Sequence, residues 1–391
     1  MSQTLPSPTD LAHELKSLAL ELGFDRAGVA GVEPVEHGGA FLRWLERGDH
    51  AGMGYLEQRV EERLEPARVL EGARSVLCVA LQYHPLEGAE EPTGDLWPRV
   101  ARYARGRDYH NKMGKLLRKL ARRVREAYPH CDTRPYVDTG PVLERALAAR
   151  AGLGTTAKNT CLLSREGSWF LLGELFLTLP LEAGEPLTDL CGRCTRCLEA
   201  CPTDALREPY RLDSNRCISY WTIEHRGAVP AEIRPQLEDW VFGCDICQQV
   251  CPWNLRPSPA ADHPDLHLAE ERRDLDLVQL LALGPEEYRR RFNGSAMQRA
   301  RLEGLKRNAA TVMGNRPEPR YRPALEKALT AESDTAVRRH AAWALGRMGA
   351  EPSRVVLERA LAEEEEPAVA EEIRHALGPE PDRKKNQHAR R

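Results

Sequence analysis

The residues that most constrain this chain are its cysteines. Eleven are present, and eight of them fall between positions 191 and 251. Cys191, Cys194, Cys197 and Cys201, closed by Pro202, stand in a C-x2-C-x2-C-x3-C-P run. Cys217 stands alone, and Cys244, Cys247 and Cys251, closed by Pro252, give C-x2-C-x3-C-P. Two-residue intervals let one tight turn direct several sulfurs inward, and each proline ends a run. This is the bacterial two-cluster ferredoxin pattern, in which the last cysteine of a run ligates the other cluster. The crossover assigns Cys191, Cys194, Cys197 and Cys251 to one 4Fe-4S cluster, and Cys201, Cys217, Cys244 and Cys247 to a second. The plainer alternative, structural zinc, would take separate tetrahedral sets of four without such a run. Cys78, Cys131 and Cys161 are singletons, expected to be inert buried thiols. Paired clusters move single electrons, so an acceptor and an external electron donor are both implied.

The rest of the composition is globular, with 41% apolar and 29% charged residues and a formal net charge of -3, so partners must be argued from local charge. Met1 to Asp10 is polar, with no basic region leading into an apolar one. The longest apolar stretch, Trp169 to Leu181, is interrupted by Glu174 and is too short to span a bilayer. The expectation is a cytoplasmic, monomeric protein with no membrane partner, whose cysteines serve metal rather than disulfides. Neither G-x-G-x-x-G after a strand nor G-x-x-x-x-G-K-S/T occurs, so a nucleotide cofactor is unsupported.

These groups need elements to hold them. Thr9 is placed to cap a helix through Leu20, and Arg74 to Tyr83 reads as a buried strand. A helix is expected from Tyr109 to Ala127. Arg134 to Asp138 reads as a short strand entering Thr139-Gly140-Pro141, with Pro141 in the first turn of a helix through Ala151. Cys161 to Leu163 and Trp169 to Leu179 look like strands paired around Arg165-Glu166-Gly167. Alternation of strands and helices predicts an α/β domain over 1–186, followed by a ferredoxin-like domain over 187–256. A helical domain over 257–380 and a basic, disordered tail over 381–391 complete the chain. In the helical part Val337, Leu345 and Gly346 recur as Val369, Leu377 and Gly378, and Met313-Gly314 precedes Leu345-Gly346 by the same interval. Stacked HEAT-like pairs are one explanation of that offset and an ordinary helical bundle is the other.

Two stretches are one-sidedly basic. Between Arg99 and Arg125 stand eleven arginines and lysines, Arg118 and Arg122 among them, against the single acid Asp108. A second stretch joins Arg289, Arg290, Arg291, Arg299, Arg301, Lys306 and Arg307 around Gly294-Ser295-Ala296. Phosphate binding and a solvated helix face both account for such runs.

Taken together, several motifs resemble epoxyqueuosine reductase. They are Tyr136-Val137-Asp138-Thr139-Gly140-Pro141-Val142-Leu143-Glu144-Arg145, Gly152-Leu153-Gly154 with Lys158-Asn159-Thr160, Cys217-Ile218-Ser219-Tyr220, Arg102 to His110, and Gly243-Cys244-Asp245-Ile246-Cys247-Gln248 running to Asn254. The resemblance extends from about Asp10 to Arg307. One stretch departs from it: Thr155-Thr156-Ala157 replaces the tryptophan and glycine usual before Lys158. That resemblance implies an α/β cobalamin-binding domain, cob(II)alamin as cofactor beside two 4Fe-4S clusters, and reduction of epoxyqueuosine to queuosine at the wobble position of a tRNA anticodon. It further implies that Arg63, Tyr103, Asp138, Lys158, Asn159 and Ser219 lie near the corrin, and that Asp138 is the proton donor. By itself Asp138 could equally be an Asx-turn cap, and Glu144 reads as an ion-pair partner for a nearby arginine. For tRNA the candidate contacts are Arg118, Arg122, Ser295, Arg299, Lys306 and Arg307, suiting an RNA whose target base is splayed out. A related cobalamin reductase of a small molecule, or a two-cluster electron carrier, are the rival functions.

Overall fold

The computed structural model describes residues 6–83, 99–256, 263–269, 272 and 276–378. The tail expected at 381–391 lies outside them. Elements in chain order are α1 Pro8–Glu21, β1 Arg26–Ala30, α2 Gly38–Glu46, α3 Val60–Leu64, β2 Ser75–Gln82, β3 Arg99–Val100, α4 Tyr109–Ala127, β4 Thr133–Tyr136, α5 Glu144–Arg150, β5 Thr155–Thr156, β6 Leu162–Leu163 and β7 Phe170–Leu177. They continue with α6 Arg196–Glu199, β8 Trp240–Phe242, α7 Ile246–Gln249, α8 Leu277–Leu281, α9 Pro285–Phe292, α10 Arg301–Asn315, α11 Arg322–Ala331, α12 Thr335–Met348, α13 Glu351–Glu363 and α14 Pro367–Leu377. No helix among the described residues is long and apolar enough to cross a membrane.

The first part of the chain is built on one sheet in the order β1-β2-β7-β4. Every pairing in it is antiparallel, with Gly28 opposite Cys78, Val79 opposite Gly173 and Tyr136 opposite Glu174. Strands and helices alternate as the sequence predicts, but the helices return the chain beside antiparallel neighbours, so the domain is α+β in character. β2 is buried along its whole length because helices cover both faces. Leu77, Val79, Leu171 and Leu175 meet Leu11 and Leu15 of α1 and Met113, Leu117 and Leu120 of α4. Val76, Cys78, Leu172 and Phe176 meet Leu147 and Ala148 of α5.

Helix α1 is capped two residues before the expected Thr9, since the Ser7 hydroxyl accepts the Asp10 N–H at 3.2 Å and Pro8 has no N–H to satisfy. Helix α4 has the bounds expected of it, capped by Asp108, which accepts the His110 N–H at 3.0 Å. β4 ends two residues short of expectation, and α5 begins at Glu144, so Pro141 lies in the turn before it. The reason is Gly140, where a Cβ would stand 2.3 Å from the Tyr136 ring: the turn folds back onto β4 instead of entering a helix. Pro135 is tolerated because β4 is an edge strand. The predicted hairpin is also corrected. β6 pairs with β5, whereas β7 lies inside the main sheet between β2 and β4; only the Ser164–Gly167 bridge joins the two segments. A run apolar on both faces but for Glu174 satisfies a sheet centre better than an exposed hairpin.

The cysteine segment contains two short helices placed alike, α6 carrying Cys197 ahead of Cys201 and α7 carrying Cys247 ahead of Cys251. Its β8 pairs in parallel with β3, and Asp245 accepts the Arg102 N–H at 2.7 Å, tying it to the first domain. Beyond it, α10, α12 and α14 stack in succession. The repeat offset has a steric cause: a Cβ on Gly314 would meet the Trp343 ring at 2.3 Å, and one on Gly346 would meet Ala376 at 2.7 Å. Each stacked helix needs a glycine where the next one crosses it.

Helix α10 also overturns part of the predicted RNA surface. Arg307 is only 2% exposed and donates to the carbonyls of Trp221, His225 and Gly227 at 2.6, 3.0 and 2.8 Å. Lys306 is buried against Glu332 at 2.6 Å. Ser295, fully buried, spends its hydroxyl on the Met297 N–H. None of the three presents a donor to a ligand outside. Arg307→Ala should therefore cost about 3 kcal/mol or more by stranding buried carbonyls. Denaturant titration would read this loss, and unchanged stability would return Arg307 to the surface.

Candidate functional site

The thiol cage comes first because its parts are local. All eight cysteines of the segment are part-exposed and free. Burial pushes Cys197 up to about 11, followed by the influence of Cys191, Cys251 and Cys194. Cys191 likewise feels Cys251, and Cys251 feels Cys194. Cys244, raised chiefly by burial, feels Cys217 and Cys201, and Cys247 feels Cys244 and Cys217. The thiols thus gather in two groups of four. Cys161, expected to be an inert buried thiol, lies against Cys247 and also acts on Cys251. Among the described residues no three His, Cys, Asp or Glu side chains converge on a single-ion position. A 4Fe-4S cube asks for something else, one thiolate per iron.

Asp138 stands at the end of β4 in the left-handed region, with φ of 54°. Such a conformation costs on the order of 1 kcal/mol for a non-glycine residue and needs local contacts to hold it. Its carboxylate is 58% exposed and lies 3.3 Å from Nε2 of His110, whose Nδ1 lies 2.7 Å from Asp108. Burial pushes this imidazole down, but the carboxylates of Asp108 and Asp138 outweigh it and raise the group to about 9. His110 is therefore an imidazolium at neutral pH, stacked at 4.1 Å on Tyr109. The backbone N–H of Asp138 donates to Glu144 Oε1 at 2.5 Å. Glu144 is thus not the ion-pair partner expected of it: Arg145 turns away to the carbonyl of Thr160 at 2.5 Å, and Glu144 faces the buried Glu174 instead.

The other expected cofactor residues divide by what they hold. Arg63 is buried and reaches the carbonyls of Tyr55, Gln58 and Gly140 at 3.3 to 3.4 Å, bracing the turn after Asp138. Tyr103 packs edge-on to Tyr109 and against Phe242, and burial pushes its phenol well up. Lys158 donates to the carbonyls of Gly192 and Cys194 at 2.8 and 3.0 Å, and Asn159 to that of Cys247 at 3.3 Å. Both lock the first domain to the cysteine loops. Ser219 follows Cys217 and opens a π-helical turn, Tyr220–Glu224.

That turn brings forward residues the sequence did not single out. Glu224 holds the guanidinium of Arg299 by two oxygens at 2.7 to 3.1 Å, and Arg299 lies 5.6 Å over the Tyr55 ring. Asp138 acts on both Tyr55 and Arg299, so the acid, the tyrosine and the arginine border one region. His110 was readable only as part of a motif. Glu174 did carry a signal, a lone acid in an apolar strand. On the outer face of α4, Arg118 and Arg122 are exposed one turn apart, opposite the buried Leu117 and Leu120. The start of α4 touches the second basic stretch where Asp108 N–H donates to the Gly294 carbonyl at 2.6 Å.

Known proteins match this arrangement. Family models match residues 190–254 as a 4Fe-4S double cluster binding domain, residues 63–139 as epoxyqueuosine reductase QueG, and residues 295–378 as HEAT repeats. Epoxyqueuosine reductase of Xanthomonas campestris pv. campestris is 43% identical over 324 residues, covering 80% of this chain and 89% of its own. That of Pseudomonas aeruginosa is 42% identical, covering 80% and 87%. An epoxyqueuosine reductase solved with a tRNA-Tyr epoxyqueuosine-modified stem loop superposes with a TM-score of 0.87 at 30% identity, covering 94% of this chain and 98% of that one. The Bacillus subtilis enzyme, solved with its catalytic loop swung out of the active site, gives the same TM-score at 29% identity and the same coverage. Identity at this level along most of both chains means that the protein belongs to the epoxyqueuosine reductase family and is an oxidoreductase.

Proposed function

We propose that this enzyme reduces epoxyqueuosine to queuosine at the wobble position of a tRNA anticodon, using cobalamin, two 4Fe-4S clusters and Asp138 as proton donor. The observation that carries this is the half-exposed Asp138 side chain, bonded by a cationic His110 and bordering the same region as Tyr55 and Arg299.

For the clusters, the donor chemistry fits: eight free thiols in two groups of four, which supports Cys191, Cys194, Cys197 and Cys251 for one and Cys201, Cys217, Cys244 and Cys247 for the other. For the corrin, the fitting observation is the buried Thr155 hydroxyl, which has no hydrogen-bond partner and could serve a corrin amide. Tyr103 and Ser219 would border the group, while Lys158, Asn159 and Arg63 support it indirectly by fixing the loops around it. When bound, cobalamin would supply a strongly nucleophilic cobalt, and clusters held by the eight cysteines would supply its electrons.

The protein's own part is protonic and positional. Opening an epoxide and expelling its oxygen as water takes up two electrons and two protons. Asp138 would deliver to the departing oxygen the proton that His110 Nε2 holds 3.3 Å away. Asp108, on Nδ1, keeps the imidazole oriented and charged. A relative solved with a tRNA stem loop supports RNA as the substrate here. Arg118 and Arg122 of α4, with Arg299 beside Asp138, suit phosphates flanking a splayed base.

Four measurements test this. Asp138→Asn should retain iron and corrin yet lose on the order of 100-fold or more in turnover; full activity would leave Asp138 a turn residue. The His110 imidazole should titrate near 9 by NMR and fall toward 6.5 in Asp108→Asn. Because its folded value is raised, the stability it lends is complete below about 6.5 and lost as pH rises through about 9. Arg118→Ala with Arg122→Ala should lower the salt dependence of stem-loop binding by about one unit of slope per phosphate contact removed. Turnover of the free nucleoside as fast as of tRNA would redirect the function to a small molecule.

A further inference from the structure

The acid turn rests on two carboxyl groups that the chemistry above does not use. Glu174 lies in the middle of β7, opposite Cys78 on β2 and Tyr136 on β4. Strand alternation puts it on the same face as Leu172 and Phe176, the face that α5 covers. It is fully buried, and neither of its oxygens has a hydrogen-bond partner of ordinary geometry. Its principal charged neighbour is Glu144, the first residue of α5, and Glu144 is the group that receives the Asp138 N–H at 2.5 Å. With Glu174 fully buried and Glu144 half-buried against it, the two cannot both ionise without repulsion.

We infer that Glu174 and Glu144 act as one proton-sharing carboxyl pair that latches the Asp138 turn in its left-handed conformation. This rests on the assignment of Asp138 as the proton donor. Glu174 keeps the proton, Glu144 carries the charge, and that charge accepts the N–H of Asp138. Both are positioning residues. Burial, then the opposing carboxylates, pushes Glu144 up to about 7 and Glu174 well above its ordinary range, in keeping with one proton held between them. The other groups facing the pair are Asp138 and Arg145 on Glu144, with Tyr109, Cys78 and Arg150 around them. His110 acts on the same turn through the Asp138 carboxylate but stays charged until about pH 9.

The test is hydrogen–deuterium exchange of the 137–142 amides in the full chain, between pH 6 and 8 so that His110 does not titrate. Glu144→Ala should speed exchange there about tenfold or more relative to the unaltered protein, while Glu144→Gln, whose amide oxygen still accepts, should stay within about threefold. The unaltered turn should gain protection as pH rises through about 7, where Glu144 ionises and accepts the Asp138 N–H more strongly. Glu174→Gln, which can donate like the protonated acid but cannot ionise, should keep that profile. In Glu144→Ala, kcat should fall while KM for the RNA stays, since binding is made elsewhere. Unaltered exchange in Glu144→Ala, or the same pH dependence in Glu144→Gln, would overturn the latch. Should Glu144→Ala fail to fold, the Glu144→Gln and Glu174→Gln exchange profiles decide alone. Because exchange is read without turnover, a working latch beside a fully active Asp138→Asn would retire the proton-donor assignment and leave the pair standing.

Discussion

The grip of α10 on the strap between Trp221 and Phe242 holds the remaining parts in register. Arg307 and Asn308, consecutive and buried, between them bond the carbonyls of Trp221, Thr222, His225, Gly227 and Val241 at 2.6 to 3.0 Å. That strap has little regular structure of its own, and without these donors its carbonyls would be buried unpaired. Burial pushes the Arg307 guanidinium down to about 10, still charged at neutral pH, so the cost of enclosing it is met by several carbonyls at once. Arg234 with Glu372, and His340 between Thr311 and the Val229 N–H, repeat the device further along the stack.

Because the strap begins just after Cys217 and includes Glu224, its anchoring fixes cluster thiols and the Arg299 site together. The same economy operates on the other side of the site. Lys158 and Asn159 bond carbonyls of the cysteine loops, and Arg63 braces the carbonyl of Gly140. Side chains expected at a corrin or an RNA instead immobilise backbone, and the chemistry is left to a few others. Asp138 is the exposed member of a row that runs from Asp108 through His110 and on, by its backbone, to Glu144 and Glu174.

How far the sequence was legible depended on distance along the chain. Cysteine spacing, the 109–127 helix with its basic outer face, and the offset linking Gly314, Gly346 and Gly378 are local patterns, and turn and helix geometry alone determines them. Their functional sense was local too: thiols two or three residues apart must share a turn, and a cation one helical turn from another must share a face. What only the tertiary structure decided was partnership. Lys306 and Arg307 read as surface because nothing nearby marks them otherwise, and the carbonyl that buries Arg307 lies 86 residues earlier. Cys161 met Cys247, and Glu144 met Glu174 rather than an arginine, through folding that spacing does not encode. β7 left its expected hairpin for the sheet centre because burying an apolar strand on both faces outweighs a short local turn. A charged or polar residue's role is set by what surrounds it once water is excluded, and that environment is assembled from distant segments.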